Sequence, residues 1–249
     1  MASMPDKILI FGATSAIAFE TAKLFAKEGA SFYLCARKEE ELKRLSGDLK
    51  IRGAKEVAYS TFDALDLDSI KRVIEKCIEK FPSLDGLLIA HGLLPDQESC
   101  ESDFNEMRKS FDINFTSVAA ILNYMVPHFE RQGHGTIAVI SSIAGDRGRQ
   151  KNYVYGAAKA AISVFLSGLR QRLHSTEVRI ITIKPGFVDT PMTADFEKNF
   201  LFVGPDMVAK GIYNAIEKGR EVIYLPWFWR WIMLIIKCIP EKLFKKMNF

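Results

Sequence analysis

The sequence predicts a single α/β domain. Apolar segments of strand length alternate with helical segments along the chain, no run rich in proline, glycine or serine divides it, and a turn of small residues joins the first strand to the first helix. A chain of 249 residues is long enough to bury a sizeable core. We therefore expect one domain over residues 1–225, followed by a hydrophobic and basic C-terminal segment over residues 226–249.

The first strand, turn and helix predict a nucleotide-binding unit. Lys7–Phe11 is a short apolar run, Phe19–Glu28 has helical periodicity, and Gly29 ends that helix. Backbone N–H groups at the start of a helix bind a pyrophosphate, and small residues in the turn let it approach closely. An ordinary strand-to-helix turn is the alternative interpretation. In the nucleotide-binding interpretation, the turn residues that contact the cofactor are Gly12, Thr14, Ser15 and Ile17.

The next two strands end at residues suited to the adenosine half of a dinucleotide. Arg37 follows the second strand, Ser31–Ala36, at a position where an acidic residue would accept hydrogen bonds from the ribose hydroxyls. Because an arginine pairs with a 2′-phosphate, we expect NADPH to be preferred over NADH, unless Arg37 points to solvent. Asp63, after the third strand Glu56–Ser60, is expected to meet the adenine, or else to cap the next helix.

The net charge of +4 is concentrated in the C-terminal segment. Residues 226–249 contain five basic residues and one acidic residue, so the rest of the chain is balanced at 29 residues of each sign. A neutral body argues against nucleic-acid binding. The basic segment suits an anionic membrane surface, and a solvated chain end is the alternative.

The cysteines and the N-terminus indicate the cellular compartment. No cysteine has metal-ligand spacing to another cysteine or to a histidine, so we expect no metal site and no disulfide framework; the four are Cys35, Cys77, Cys100 and Cys238. The first seven residues lack the apolar region of a signal peptide. We expect a cytoplasmic protein, located at the inner face of the membrane if the basic segment binds lipid.

Tyr155 and Lys159 form the main candidate catalytic pair. Residues four apart on a helix lie on one face, so the phenol and the ammonium group point to the same spot. A phenol with a pKa near ~10 is a poor acid–base group at neutral pH, but an adjacent ammonium group favours the phenolate. Such pairs also arise by chance, so the surrounding motifs decide the interpretation.

Those motifs resemble the short-chain dehydrogenase/reductase family over almost the whole chain. The resemblance implies a single three-layer Rossmann-type domain with a seven-stranded parallel sheet and an active site at the carboxyl ends of the strands. It also implies a homo-oligomer. The matching residues are Gly12, Asn114 in Asp-Ile-Asn-Phe, Ser142 in Ile140–Gly145, Tyr155-x-x-x-Lys159, and Pro185-Gly186 followed by Thr190.

The resemblance also implies chemical roles. Tyr155 would donate a proton to the carbonyl oxygen as hydride arrives from the nicotinamide. Lys159 would hold the nicotinamide ribose and lower the pKa of the tyrosine, while Ser142 would hydrogen-bond the reacting oxygen. Asn114 would anchor a water molecule that resupplies the proton.

The remaining cofactor contacts implied by the family lie around the nicotinamide, beneath a mobile cover over residues 187–202. Three residues have simpler structural alternatives: Asn114 kinks or caps its helix, Ser142 ends a strand, and Thr190 starts the helix of the cover. The contacts that the resemblance adds are Gly92, Pro185, Gly186, Val188 and Thr190.

The chain departs from the family pattern at two places. The glycine-rich turn keeps Gly12 but has alanine at positions 16 and 18, where a methyl group crowds the phosphates or shifts the backbone. The family's Asn-Asn-Ala-Gly after the fourth strand is Ile89-Ala-His-Gly92 here. We expect His91 to pack near the cofactor without a catalytic role. Cofactor affinity is the property that these changes affect.

The C-terminal segment is too hydrophobic for an ordinary surface tail and too short to span a bilayer, which needs about 20 apolar residues. Residues 226–239 combine three tryptophans with a narrow polar stripe, which is typical of an interfacial membrane anchor. Packing on the protein's own domain or in a subunit interface is the alternative. Pro240 is expected to divide the segment into two helical pieces.

Within the family, the chain is most similar to reductases of ketosugars carried on a polyprenyl phosphate. A lipid-linked substrate would explain the hydrophobic and basic C-terminal segment. A generic reductase of acyl, steroid or quinone carbonyls is a second hypothesis. A non-catalytic nucleotide-binding scaffold is a third, suggested by the altered turn. The likeness rests on Gly12-x-Thr-Ser, Phe62-Asp-Ala-Leu-Asp66, Gly92-Leu-Leu, Ser142-x-Ala-Gly, Tyr153-Val-Tyr-Gly and Ile239-Pro-Glu-Lys-Leu-Phe.

Overall fold

The computed structural model describes residues 4–247. The first three residues of the predicted domain, and Asn248 and Phe249 of the C-terminal segment, lie outside the described residues. Seven strands alternate with helices along the chain. The strands are β1 Lys7–Phe11, β2 Ser31–Ala36, β3 Val57–Thr61, β4 Gly86–Ile89, β5 His134–Ile140, β6 Glu177–Pro185 and β7 Val222–Leu225.

Within the described residues, ten α-helices connect or follow these strands, and three short turns of other helix types lie between them. The turns are a π-helical turn at Asp112–Thr116 and 3₁₀ turns at Ile143–Gly145 and Pro191–Thr193. The helices are α1 Ala16–Lys27, α2 Glu39–Ile51, α3 Leu67–Lys80, α4 Gln97–Ser102, α5 Phe104–Phe111, α6 Ser117–Gln132, α7 Tyr153–Arg172, α8 Pro205–Glu217, α9 Trp229–Cys238 and α10 Glu241–Phe244.

All seven strands form one parallel sheet in the order β3-β2-β1-β4-β5-β6-β7. This confirms the expected Rossmann-type sheet. The strand order reverses between β1 and β4, and ligands of such sheets bind in the crevice at the carboxyl ends on either side of the reversal. The sheet therefore places the residues after β1, β4, β5 and β6 around one crevice.

Helices cover both faces of the sheet, giving three layers. In β1, Ile8 and Ile10 face a core shared with α1, α2 and α8, while Leu9 and Phe11 face a second core shared with α3, α6 and α7. Because both faces are covered, the central strands are continuous apolar runs. The loops at the carboxyl ends of the strands are thus held in place by the helices packed on both faces of the sheet.

The turn after β1 brings the backbone close to β4. Gly12 has φ +79°, and a Cβ on it would lie 2.7 Å from the Cα of His91. Only glycine accommodates this backbone and this approach. The helix that follows starts at Ala16, three residues earlier than the periodicity indicated, because Ser15 already has the extended backbone of an N-cap residue.

The C-terminal segment packs one face of α9 on the domain. Trp229 and Met233, one helical turn apart, are 3 % and 0 % exposed and form a small core with Ile143. On the opposite face, Trp231 and Ile235 are 55 % and 67 % exposed. As predicted, the helix ends before Pro240, and α10 follows. Within residues 4–247, no helix is both long and apolar enough to cross a bilayer.

Candidate active site

Four strand ends bring the predicted site residues to one edge of the sheet. Gly12 follows β1, Gly92 follows β4, Ser142 follows β5, and Pro185 ends β6. The sheet order makes these strands consecutive neighbours. Gly12 and Pro185, which are 173 positions apart in sequence, thus lie around the same crevice because parallel strands end on the same side.

Ser142, Tyr155 and Lys159 meet in this crevice. The backbone of Ser142 is extended, with φ −168° and ψ 155°, and its Oγ accepts a hydrogen bond from the N–H of Ala144 at 3.1 Å. Ser142 is also hydrogen-bonded to the phenol of Tyr155. Lys159 is 3 % exposed, and its Nζ lies 5.7 Å from the centre of the Tyr155 ring. The helix spacing of four residues brings the tyrosine and lysine together as the sequence indicated.

The electrostatics of the pair differ from the expectation. Burial raises the pKa of Tyr155 to about 12, and the hydrogen bond with Ser142 opposes this shift. Burial lowers the pKa of Lys159 to about 8, and Nζ donates a hydrogen bond to the carbonyl of Ile140 at 3.1 Å. The expected lowering of the tyrosine pKa by Lys159 is therefore absent here, because desolvation dominates both groups. At neutral pH Tyr155 is a neutral phenol that holds a proton to donate.

Asn114 lies in the π-helical turn between α5 and α6 and is fully buried. Its Nδ2 donates to the carbonyls of Leu93 at 2.7 Å and Ser110 at 2.9 Å, and its Oδ1 accepts from the N–H of Leu93 at 3.1 Å. A Cβ added to Gly92 would meet Asn114 Oδ1 at 3.0 Å and Lys159 Nζ at 3.5 Å. Asn114 thus ties an irregular helix turn to the loop after β4, next to the lysine. Its water-anchoring role stays a prediction.

His91 is a partly buried residue whose imidazole packs against its neighbours. Its Nε2 shares a hydrogen bond of 2.8 Å with Ser117 Oγ, and its ring meets Phe62 edge-on at 5.4 Å. Burial, and secondarily the charge of Lys159, lower the pKa of His91 to about 3. The imidazole is therefore neutral at physiological pH, which agrees with the expected packing role.

The N-terminus of α1 is suited to a pyrophosphate. Ser15 is the N-cap, but its side chain makes no capping hydrogen bond, and the first turn contains no acidic residue. Thr14 is exposed beside it, while Ile17 is buried in the core below. The N–H groups at the start of a 12-residue helix attract an anion. The residues present therefore fit the phosphate part of a dinucleotide.

An open cavity of about 580 Å³ lies beside β3, where the sequence predicts the adenosine end of the site. Arg37 and Asp63 line it, together with two further cationic side chains, Arg72 and Lys76. Asp63 Oδ1 accepts a hydrogen bond from the N–H of Leu65 at 2.9 Å, so part of its carboxylate holds the local turn. The next helix is capped by Asp66 rather than Asp63, which removes the capping alternative.

The nicotinamide end is framed by the end of β6 and the cover loop. Gly186 donates its N–H to the carbonyl of Leu225 at 2.9 Å, and Val188 forms a bridge with Val203 that closes the base of the loop. Thr190 is the N-cap of the 3₁₀ turn, with a reciprocal capping bond to Thr193. The simpler role considered for Thr190 is therefore present, and its nicotinamide contact stays a prediction.

Helix α9 covers this end of the site and is called the roof below. The sequence did not reveal this placement. Trp229 packs directly on Gly186, and its ring also meets Phe187 edge-on at 5.5 Å. The Trp229 indole nitrogen is buried and has no hydrogen-bond partner within residues 4–247. The narrow polar stripe among the apolar residues 226–239 was the available sequence signal, but it could not identify the surface that the helix covers.

A cluster of charged residues next to α9 was also not predicted from the sequence. The buried carboxylate of Asp146 pairs with Lys184 and accepts a hydrogen bond from the Tyr224 hydroxyl at 2.7 Å. Arg147 Nη1 donates to the carbonyls of Ile236 at 2.5 Å and Ile239 at 2.6 Å. The loop after Ser142 is thereby fastened to the end of α9. The sequence signal was the charged run from Asp146 to Lys151, between two motifs.

Comparison with known proteins decides the family. The sequence model described as short chain dehydrogenase matches residues 6–200. The chain belongs to the short-chain dehydrogenase family. It is 32 % identical over 240 residues to an uncharacterised oxidoreductase of Mycobacterium tuberculosis, with 96 % of each protein covered. It is 31 % identical over 245 residues to 11-beta-hydroxysteroid dehydrogenase-like 2 of Arabidopsis thaliana, covering 94 % of this chain and 78 % of the plant protein.

Solved structures of short-chain dehydrogenases have the same fold. A variant of actinorhodin polyketide ketoreductase with NADPH superimposes with a TM-score of 0.80, at 23 % identity, covering 90 % of this chain and 97 % of the ketoreductase. L-sorbose reductase of Gluconobacter frateurii, complexed with NADPH and L-sorbose, gives 0.79 at 21 % identity, covering 90 % and 96 %.

This short-chain dehydrogenase is therefore an oxidoreductase that acts on CH–OH or C=O groups with NAD(P). The hypothesis of a non-catalytic scaffold is set aside. Its substrate is a small molecule with a carbonyl or hydroxyl group.

Proposed function

We propose that this short-chain dehydrogenase uses NADPH to reduce the ketone of a sugar linked to a polyprenyl phosphate. The observation that carries the proposal is the two-sided α9. One face of this helix closes over the candidate active site through Trp229 and Met233, while the other exposes Trp231, Leu234 and Ile235. A substrate with a polar reacting head and a hydrocarbon tail suits such a helix.

The sequence likeness supports the same substrate class. The motifs around the turn, the site and Ile239–Phe244 resemble decaprenylphosphoryl-keto-pentose reductase, which reduces a ketosugar carried on a polyprenyl phosphate. The likeness includes residues of α10, beyond the part of the chain that the family model matches. A resemblance in the segment after α9, as well as around the catalytic residues, favours a related substrate.

The reaction would be carried by three side chains. NADPH supplies a hydride to the carbonyl carbon when bound. Tyr155, which burial keeps protonated, would donate its proton to the carbonyl oxygen. Ser142 would donate a hydrogen bond to that oxygen, and Lys159, held by Ile140, would bind the ribose and resupply the proton to Tyr155.

The preference for NADPH rests on the charge around Arg37. Three cationic side chains line the adenosine cavity, Arg37, Arg72 and Lys76, against Glu39 and Asp63. Part of Arg72 is engaged with Asp66 at 3.1 Å, which leaves Arg37 as the cation at the strand end where ribose is read. A guanidinium pairs with a 2′-phosphate through charge-assisted hydrogen bonds.

Membrane contact would follow from the exposed face of α9. Its tryptophan and isoleucine side chains lie beside the exposed cations Arg230 and Lys237. Aromatic and basic side chains on one exposed face favour an anionic lipid surface. The proposed location is the cytoplasmic face of a membrane, where a lipid-linked substrate is accessible.

We also propose a homo-oligomer. Large apolar side chains are exposed on α5, α6 and α7, including Phe104 and Val164, which are 71 % and 72 % exposed. Exposed apolar side chains on adjacent helices favour association with a second copy. This face carries the helices of Asn114 and Tyr155, and it is separate from α9.

A second candidate is reduction of a steroid ketone. The similarity to a plant 11-beta-hydroxysteroid dehydrogenase-like protein favours it, and the apolar roof over the crevice suits a rigid hydrocarbon. In this alternative, α9 would contact the substrate without any need for a phosphate.

The experiment is NADPH oxidation by the purified protein with three ketones. These are a polyprenyl-phosphate-linked keto-pentose, the same keto-pentose without the lipid, and an 11-ketosteroid. Turnover of the lipid-linked sugar at a kcat/KM at least ten times that of the free sugar supports the proposal. Turnover of the steroid alone supports the second candidate, and equal turnover of both sugars refutes the lipid-linked assignment.

A further inference from the structure

Arg149 is a partly buried cation without an anionic partner among the described residues. It lies in the loop between the 3₁₀ turn after Ser142 and helix α7. Its Nε is buried and has no hydrogen-bond partner, and its Nη2 contacts only Met233 Sδ, at 3.3 Å. A thioether sulfur is a weak acceptor. Within residues 4–247, no carboxylate lies within ion-pair distance of this guanidinium.

Two other charged residues of this loop, Asp146 and Arg147, already have partners. The two carboxylate oxygens of Asp146 are taken by Lys184 and by the Tyr224 hydroxyl. Arg147 is used by the carbonyls at the end of α9 and by Glu241, at 2.9 Å. Arg149 is thus not needed to balance a charge in the ligand-free protein.

Such an arrangement is costly unless a ligand completes it. A donor atom that is buried without an acceptor has lost its hydrogen bonds to water and has gained none in exchange. Burial lowers the pKa of the Arg149 guanidinium, although Asp146 partly opposes the shift. Buried charges are therefore normally paired, and a partner supplied by the substrate would remove this penalty.

A second unpaired donor lies on the same roof. The indole N–H of Trp229 is buried without an acceptor, and Trp229 is one helical turn from Met233, the residue that Arg149 contacts. Guanidinium and indole nitrogens only donate hydrogen bonds. Trp229 Nε1 lies against Gly186 and Arg149 lies against Met233, so two donors without acceptors lie on consecutive turns of α9, which suits a ligand rich in acceptor oxygens.

We propose that Arg149 binds the phosphate ester of the substrate, a deepening that rests on the proposed function. Its fork of N–H groups would hold two phosphate oxygens. The start of α7 lies three residues further on, where Asn152 makes no capping hydrogen bond and the helix dipole favours negative charge. The ketone would then lie at Tyr155, one turn into the same helix, and the hydrocarbon along α9.

The test measures ligand binding by calorimetry at saturating NADP⁺, which blocks the cofactor's own phosphate sites. Farnesyl phosphate, farnesol and inorganic phosphate are titrated into the wild-type protein and into Arg149→Gln, Arg149→Lys and Lys151→Gln. Lys151 is the matched control because it is an exposed cation in the same loop. Thermal unfolding and NADP⁺ affinity check that each variant is folded.

We expect Arg149→Gln to weaken farnesyl phosphate binding at least tenfold, with Arg149→Lys intermediate and Lys151→Gln unchanged. Farnesol binding should not change in any variant. Tighter binding of farnesyl phosphate than of inorganic phosphate identifies a lipid-borne phosphate, whereas equal binding identifies a free one, and either supports the site if it depends on Arg149. Equal affinity of wild type and Arg149→Gln, or no binding of farnesyl phosphate to wild type, overturns it.

The two proposals can fail separately. If Arg149→Gln leaves the kcat/KM for the lipid-linked keto-pentose unchanged, the phosphate site is wrong while the proposed function stands. If farnesyl phosphate binding depends on Arg149 but no lipid-linked ketosugar is reduced, the phosphate site stands and the proposed substrate is wrong.

Discussion

Replacing Gly186 with alanine tests whether α9 is the roof of the site. A Cβ on Gly186 would lie 2.5 Å from Cδ1 of Trp229 and closer still to Nε1, within a fully packed cluster. The φ angle of Gly186 is outside the left-handed range, so alanine meets no backbone strain and the clash alone decides the effect. Overpacking of this kind typically costs about 1–3 kcal/mol.

The expected result is a lower melting temperature of the ligand-free protein. For a chain of this size, each kcal/mol shifts the melting temperature by about 2–4 °C. Gly168→Ala is the matched control, because Gly168 lies inside α7 and an added Cβ meets no atom within 4 Å. Removing a glycine from an unobstructed helix position should stabilise the protein by about 0.5–1 kcal/mol.

A double-mutant cycle assigns the effect to Trp229. Trp229→Ala alone should destabilise by about 3–5 kcal/mol, because a buried aromatic side chain is lost. In that background Gly186→Ala should cost less than about 0.5 kcal/mol, because the clash has been removed. If Gly186→Ala costs the same with and without Trp229, or leaves wild-type stability unchanged, the packing of α9 on Gly186 is refuted.

Three further measurements probe the site. Tyr155→Phe should lower turnover at least about 10²-fold and leave NADPH affinity unchanged, because only the proton donor is lost; preserved turnover would contradict the mechanism. Arg37→Ala should weaken NADPH binding about tenfold without affecting NADH, and equal losses for both cofactors would exclude recognition of the 2′-phosphate. Lys159 has a folded pKa near 8 against an ordinary 10.5, so the unfolded chain binds more protons between these values. The free energy of unfolding should therefore rise with pH from about 8 to 10.5, by up to about 3 kcal/mol relative to Lys159→Met, and parallel pH profiles of the two proteins would refute the shift.

Local patterns were enough to predict an α/β domain and the Tyr155–Lys159 pair, while the seven-stranded parallel sheet was predicted through the family resemblance. The strand bounds of β1 and β2 agree with the sequence because each is a short apolar run ended by a glycine or a charged residue. Tyr155 and Lys159 could be paired from the sequence because helix geometry fixes which residues share a face. Ser142 could be added only through the family resemblance, since its distance to Tyr155 depends on where β5 ends.

Electrostatics and the location of the last helix could not be predicted in this way. The pKa of Tyr155 depends on how much solvent reaches it, and burial outweighs the nearby lysine. Likewise, the amphipathic pattern of α9 predicted a helix with one apolar face but not its contact surface, since Trp229 meets Gly186 only through the folded chain.

The sequence by itself determined the alternation of strands and helices, the turn of small residues after β1 and the residue types available for proton transfer, because strand alternation, turn chemistry and helical spacing act over a few neighbouring residues. Only the tertiary structure decided that Arg149 is left without an anion and that α9 covers the site. Burial and pairing are properties of contacts between residues more than 80 positions apart, as Arg149 and Met233 show, and such contacts exist only once the chain has folded.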